Sequence, residues 1–522
     1  MTEDKHQKSW QESFKEFLDP PVITMLFLGF SAGIPILLIF SSLSLWLREA
    51  GVERAAVTFF SWAALGYSFK FIWAPLVDSL PLPFLTKWLG RRRSWMITSQ
   101  FMIILSISGM AIVDPAASQN SLIMMAIAAV MLGFSSATQD IVIDAFRIES
   151  AESGLQALMS STYIAGYRIG MITAGAGALF LASSLGSTKE VYSYDAWKWT
   201  YFIMALTMLV GIATTLLRPE PASRAVKKEE HSVRDYTRFF MLFIFIVSGF
   251  IFSFIITANL AASTTEYLGG FLGNEHFASF LTGTVRLAVA LGLAGLVAYI
   301  MTRLGFVNRK MVKSAYIAPV ENFFSRYGVS LAILILSLVG LYRISDIVLG
   351  VISNVFYQDL GFTKVQIASV VKTFGLVMTI VGGFLGGILA VRFGVIKILL
   401  LGAVLSAATN LLFVLLASMG NDMTMLYLVI SADNLSAGLA SAAFVAFLSS
   451  LTDVSFTAVQ YAIFTSLMTL LPKVLGGYSG TMVDSVGYPG FFTITALMGI
   501  PVIFIVWIAG KKLNIDDKPF LK

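Results

Sequence analysis

Apolar stretches of twenty to thirty residues follow one another along almost the whole chain, separated by short polar breaks. About twenty apolar residues suffice for a helix to cross a bilayer. The pattern predicts fourteen membrane-spanning helices, at about 22–47, 55–78, 93–113, 121–147, 155–184, 199–217, 239–262, 277–301, 328–356, 365–390, 398–418, 423–450, 456–482 and 488–510. Residues 1–21 are polar and hold no signal-peptide core. There Trp10, Phe14, Phe17 and Leu18 recur at helical spacing ahead of Asp19-Pro20-Pro21, as in a tail helix lying in the membrane interface. Two longer polar segments interrupt the run. The charged stretch 218–238 opens on a proline turn, and 302–327 carries Arg303, Arg309, Lys310, Lys313 and Arg326, with Pro319 expected to interrupt any helix. The chain therefore divides into a tail (1–21), a six-helix half (22–217), a linker (218–238), an inserted helix pair (239–301), an amphipathic linker (302–327), a second six-helix half (328–510) and a tail (511–522).

Composition agrees with an all-α polytopic membrane protein: 57% of the 522 residues are hydrophobic and 13% charged, with a mean hydropathy of +0.81. The net charge of +6 is no mark of nucleic-acid binding, because its distribution follows the membrane. Twenty-five of the 36 lysines and arginines fall in the tails, in the loops on their side or at the span ends beside them (Arg93 and Arg147), against five in the loops opposite. That bias places both termini in the cytoplasm. The chain has no cysteine, and its histidines are His6, His231 and His276. No Walker A sequence, nucleophile–base pair or Cys/His metal set is present. Neither a metal nor a cofactor is expected, and the chain is not expected to be an enzyme.

A weak repeat relates the two halves. After the second span, "APLVDS" and "LGRRRSW" place Asp78 ahead of Arg91, Arg92 and Arg93; at the matching place in the second half stands "GGILAVRFGVIK". Both are imperfect forms of a G-x-x-x-D-R-x-G-R-R loop, the second with Val391 in place of the acid. Such a loop at equivalent places in two six-helix halves resembles the major facilitator superfamily, which implies parallel repeats around a central cavity. Asp78 near Arg91–Arg93 is expected to form a cytoplasmic latch, with Asp144 and Arg147 part of the same gate.

Ionised side chains inside a span cost roughly 2.5–3.5 kcal/mol each, so each is a functional candidate. Lys70 and Asp140 both fall about 12 Å from the cytoplasmic end of their spans, which suggests that they pair. Asp144, one turn from Asp140, is expected close to the latch arginines, and Arg168 lies in mid-span. In the second half Asp346, Lys372, Asp433 and Lys473 share a depth of about 10–15 Å from the outer end, with Arg343 one turn deeper than Asp346. Five charges from four helices at one level predict a hydrated pocket of net positive character, suited to an anionic or zwitterionic solute. An aspartate that leaves its basic partner as the halves rock gains a proton, which makes Asp140, Asp346 and Asp433 the candidates for proton coupling. Gln139, Asn434 and Gln460 offer amides. Trp62, Tyr67, Tyr163 and Tyr167 lie deeper in their spans, with stacking on a sugar ring and packing in the core as the two readings.

"TMLFLGFSAGIP", "FKFIWAPLVD", "GRRRSW", "SATQDIVIDA", "GYRIGM", "YRISD", "KTFG", "DNLSAGLASAAFVAFL" and "AVQYAIF" resemble the AmpG-type muropeptide permeases over nearly the whole chain. The resemblance implies a monomeric Gram-negative inner-membrane symporter, which imports GlcNAc-anhydro-MurNAc peptides with protons for peptidoglycan recycling and feeds β-lactamase induction. It also implies roles for Lys70, Asp140, Asp144, Arg168, Asp346, Lys372 and Asp433, which match charged positions of the family's motifs. Two positions depart: Asp433 stands where the family has Glu, and Pro472-Lys473 where it has Gly-Arg. A siderophore or acyl-CoA-like solute on the same scaffold, or a membrane sensor without flux, are the alternatives.

Overall fold

The computed structural model describes residues 16–52, 67, 69–151, 155–188, 191–221, 232–273, 275–363, 366–476 and 479–513. Among these, twelve helices are long and apolar enough to cross a membrane, and they coincide with twelve of the fourteen expected spans. The expected second span falls largely outside the described residues. The thirteenth is present as Thr457–Gly476. The tail helix with Trp10 and Phe14, the middle of the first linker and Trp62 also lie outside them.

Helices α1 (Pro20–Ile39), α2 (Ser41–Glu49), α3 (Ala74–Ser79), α4 (Arg91–Ala111), α5 (Gln119–Ser150), α6 (Gln156–Ile172), α7 (Tyr194–Thr207) and α8 (Leu209–Leu217) build the first half. The inserted hairpin is α9 (Val233–Ile256), α10 (Ala258–Leu272) and α11 (Glu275–Arg303). The second half is α12 (Ala318–Leu341), α13 (Ile344–Asp359), α14 (Gly375–Phe393), α15 (Val395–Met419), α16 (Met423–Leu451), α17 (Thr457–Gly476) and α18 (Ser479–Lys512). The end of the bundle that carries Asp78, Arg91–Arg93 and Glu149 is its basic end, and the opposite one its far end.

Lipid offers helices little hydrophobic drive to associate, so close packing through small residues takes over. The α1–α6 contact is the clearest case. A Cβ on Gly166 would lie 1.9 Å from the Leu26 carbonyl oxygen, and one on Gly29 2.2 Å from that of Tyr163. In the second half Gly382 and Gly438 play the same part, with α16 and α14 backbone each 2.2 Å from the missing methyl. The cores of the halves interlock at the basic end. Ile148 and Ala157 of the first half sit in the second half's apolar cluster, and Ile388, Ala458 and Ala462 sit in the first's. The same surface places Gly387 of α14 against Ser161 and Ala157 of α6.

One expectation about the second linker needs correction. Pro319 does not interrupt the helix: the chain is helical from Arg309, passes through a π-turn at Lys313–Ile317 and continues into α12. The wider turn relieves the i−4 clash of the proline ring and accommodates its missing N–H. The bend falls instead at Gly328, whose φ of 71° is open to glycine. The face Val307, Met311, Ala315, Pro319 and Phe323 is buried on the bundle.

Candidate functional site

Two charged layers close the basic end. In the outer one Arg92, 1% exposed, is the hub. It lies in the first turn of α4, whose N–H groups there are capped by Glu220, with Arg92 N at 2.7 Å and Arg93 N at 3.0 Å. Its Nη2 donates to Asp78 Oδ1 at 2.7 Å, to Glu149 Oε1 at 2.6 Å and to Thr457 Oγ1 at 2.6 Å. The Thr457 hydroxyl in turn donates to Glu149. Asp78 also accepts from the Val459 N–H at 3.4 Å, which points its charge at the positive end of α17. Arg91 donates to the Asp78 carbonyl at 2.9 Å, and Arg93 to the carbonyls of Thr215 and Leu216. Of the three latch arginines, Arg92 thus forms the ion pairs, and Thr457 carries them to the other half.

The inner layer centres on Arg147, fully buried. Its Nη1 donates to Ser449 Oγ at 2.6 Å and Ser160 Oγ at 3.2 Å, one from each half. Its Nη2 meets Asp144 at 3.3 Å, and the guanidinium lies 5.2 Å from the Tyr461 ring centre. Asp144 holds Lys70 as well, at 3.7 Å. Two expectations change here. Lys70 forms its ion pair with Asp144 rather than Asp140, and Asp144 pairs with Arg147 rather than with the latch arginines. The straight-helix depth fails for Lys70 because it opens a 3-10 turn, Lys70–Ile72, which a separate turn joins to α3. Asp140 stays within electrostatic reach of Lys70 and is hydrogen-bonded to Tyr163, while its Oδ1 is buried without a hydrogen-bond partner.

In the second half the span breaks between α12 and α13 at Arg343. Irregular backbone at membrane depth is tolerated where it is shielded from lipid. Arg343 Nε lies 3.3 Å from Asp346 and its Nη1 donates to Ser441 of α16; Ser406 of α15 donates to Asp346. Asp433 accepts from Thr409 and lies within reach of both Asp346 and Arg343. The structure thus gathers Arg343, Asp346 and Asp433. Lys372 is exposed and makes no ion pair with a described residue. It sits in a π-turn, Ile367–Phe374, whose wider winding upsets a level counted on a straight helix. The side chain of Lys473 lies outside the description.

The remaining candidates are placed as follows. Gln139 is buried and donates to Ser31 at 3.1 Å, between α5 and α1. Asn434 accepts from Thr379 at 2.9 Å and donates to the Ile430 carbonyl at 3.0 Å, joining α16 to α14. Gln460 faces the second linker, with its amide on the Pro319 carbonyl at 2.8 Å and its oxygen on the Asp453 N–H at 2.7 Å. Tyr167 is half-buried beside Arg168, whose hydrogen bond goes to the sulfur of Met171 at 3.8 Å. Sequence reading missed Glu149, Ser449, Thr457 and Tyr461. Each stands near a span end, where polar residues are ordinary, and only the approach of the other half gives it a partner.

The model of the Major Facilitator Superfamily matches residues 25–341. Among curated proteins, a putative AmpG 4 transporter of Rickettsia felis is 30% identical over 96% of this chain and 99% of its own length. The anhydromuropeptide permease of Escherichia coli K12 is 26% identical over 95% of this chain and 81% of its own. Among solved structures, the proton:xylose symporter XylE aligns with a TM-score of 0.58 at 12% identity, covering 95% of each chain. The E. coli fucose:proton symporter FucP aligns at 0.57, covering 94% of this chain and 97% of its own. These structures share the fold. With its helical bundle, its latch between halves and these relatives, the chain belongs to the Major Facilitator Superfamily, among the AmpG-type membrane transporters.

Proposed function

We propose that the protein imports anhydromuropeptides, GlcNAc-anhydro-MurNAc and its peptides, across a bacterial inner membrane together with protons. The observation that carries this reading is the interior network of Arg343, Asp346 and Asp433, set in a chain that aligns almost end to end with an anhydromuropeptide permease. Muropeptides present sugar rings, amides and free carboxylates, and a mixed basic and acidic network suits the last two. The positive-inside bias assigns the basic end to the cytoplasm. The solute then enters from the far end while the Arg92 and Arg147 layers hold the cytoplasmic side shut. Opening inward separates Thr457 from Arg92 and Glu149, and Ser449 from Arg147. Asp140, Asp346 and Asp433 carry the proton: each is an acid in a low-dielectric interior, and its ionised form depends on a neighbouring cation.

Uptake of labelled anhydromuropeptide into energised inner-membrane vesicles tests the reading. Accumulation that an uncoupler abolishes is the expected result. Absence of uptake, or accumulation indifferent to the uncoupler, refutes it.

A further inference from the structure

Arg147 supplies a common level for the two halves, because its Nη1 touches Ser160 of α6 and Ser449 of α16 at once. Arg168 stands eight residues beyond Ser160 on α6. Ser441, the acceptor that fixes Arg343, stands eight residues before Ser449 on α16. At 1.5 Å per residue both lie about 12 Å above Arg147 toward the far end. The direction follows from helical phase. Ser161 of α6 lies against Gly387 of the second half, and Arg168, seven residues on, falls on the same face two turns higher. The two guanidinium groups therefore sit at one level on facing surfaces of the two halves, within electrostatic reach of each other.

Their surroundings differ. Arg343 has Asp346 at 3.3 Å and Ser441, which hold it in place. Arg168 has no carboxylate partner among the described residues, and its one hydrogen bond goes to a thioether sulfur, a weak acceptor. A guanidinium deep in a bundle without a counter-ion is costly, and a second cation opposite makes it more so. Asp140 stands at a similar height, but it is hydrogen-bonded to Tyr163 and its cationic neighbour is Lys70. An anion between the arginines relieves the repulsion, and the planar fork of a guanidinium suits a carboxylate in two-point contact.

The geometry points to a carboxylate clamp: Arg168 and Arg343, one from each half, close on a single carboxylate of the transported solute and so draw the halves together above it. This inference rests on the importer reading and adds which group of the solute is recognised and by what.

Its test is uptake into proteoliposomes of two probes, a labelled anhydromuropeptide and the same compound with its carboxylates converted to primary amides. Wild type is expected to favour the free acid by roughly tenfold or more, the scale of a charge-assisted contact. R168Q is expected to lose that preference, and R168K, which keeps the charge without the fork, to retain part of it. Membrane abundance measured for each variant separates lost folding from lost recognition. Equal uptake of both probes by wild type, or an undiminished preference in R168Q, overturns the clamp and leaves the importer reading standing. Failure of wild type to take up either probe overturns the importer reading itself.

Discussion

Thr457 is the point at which the basic-end closure can be loosened with least disturbance. Thr457→Val keeps the shape of a fully buried side chain and removes one hydroxyl. That hydroxyl accepts from Arg92 at 2.6 Å and donates to Glu149, and both partners belong to the other half. Hydrogen bonds to charged groups contribute about 1.5–3 kcal/mol each. Arg92 and Glu149 keep each other at 2.6 Å after the change, so the net loss to the closed state is set at about 1.5 kcal/mol, the lower value for one such bond. Since 1.4 kcal/mol is a factor of ten in population, the open fraction of the basic end should rise about tenfold. The chain has no cysteine, so spin labels at Lys87→Cys and Lys397→Cys, both exposed at the basic end, report the gap between halves without background. A longer-distance component should grow in Thr457→Val and not in Thr457→Ser. An unchanged distance distribution in Thr457→Val, at normal membrane abundance, would refute the hydroxyl bridge as a determinant of closure.

Three further outcomes are expected. Gly166→Val should lower the Tm in detergent or abolish folding, because its Cβ would stand 1.9 Å from the Leu26 carbonyl oxygen and overpacking costs about 1–3 kcal/mol or more; a wild-type melting curve would contradict the close packing of α1 on α6. Asp140→Asn should keep exchange of labelled for unlabelled anhydromuropeptide yet lose uncoupler-sensitive accumulation, which counterflow beside active uptake distinguishes; intact accumulation would remove Asp140 from coupling. Gln460→Leu deletes two hydrogen bonds to the linker, on the Pro319 carbonyl and the Asn322 side chain, and a third from the Asp453 N–H, each about 1 kcal/mol. It should speed tryptic cleavage at Arg309, Lys310 and Lys313, and equal cleavage rates would count against the linker being held through Gln460.

Much of this protein is legible in one dimension. Backbone polar groups in lipid must be satisfied within the helix, so twenty apolar residues specify a span whatever surrounds it, and thirteen of the expected spans stand as helices among the described residues. Asp78 and the Arg91–Arg93 run mark their own latch, because a carboxylate at one helix end and arginines at the next are neighbours by connection. Arg343 and Asp346 pair for a similar reason, three residues apart where two helices meet. Partners from distant segments are another matter, since they depend on how each helix is rotated and how closely glycines let it approach. The 3-10 turn at Lys70 and the π-turns at Lys313–Ile317 and Ile367–Phe374 shift that rotation, and nothing in the residues themselves announces them. For this reason Lys70 met Asp144, Lys372 stood apart from its expected cluster, and Gln460 turned to the linker. Sequence determined which charges enter the membrane, because their cost is local. Tertiary structure alone decided that Glu149 answers Arg92 and that Thr457 and Ser449 bridge the halves, because those meetings exist only where two separately folded surfaces come into register.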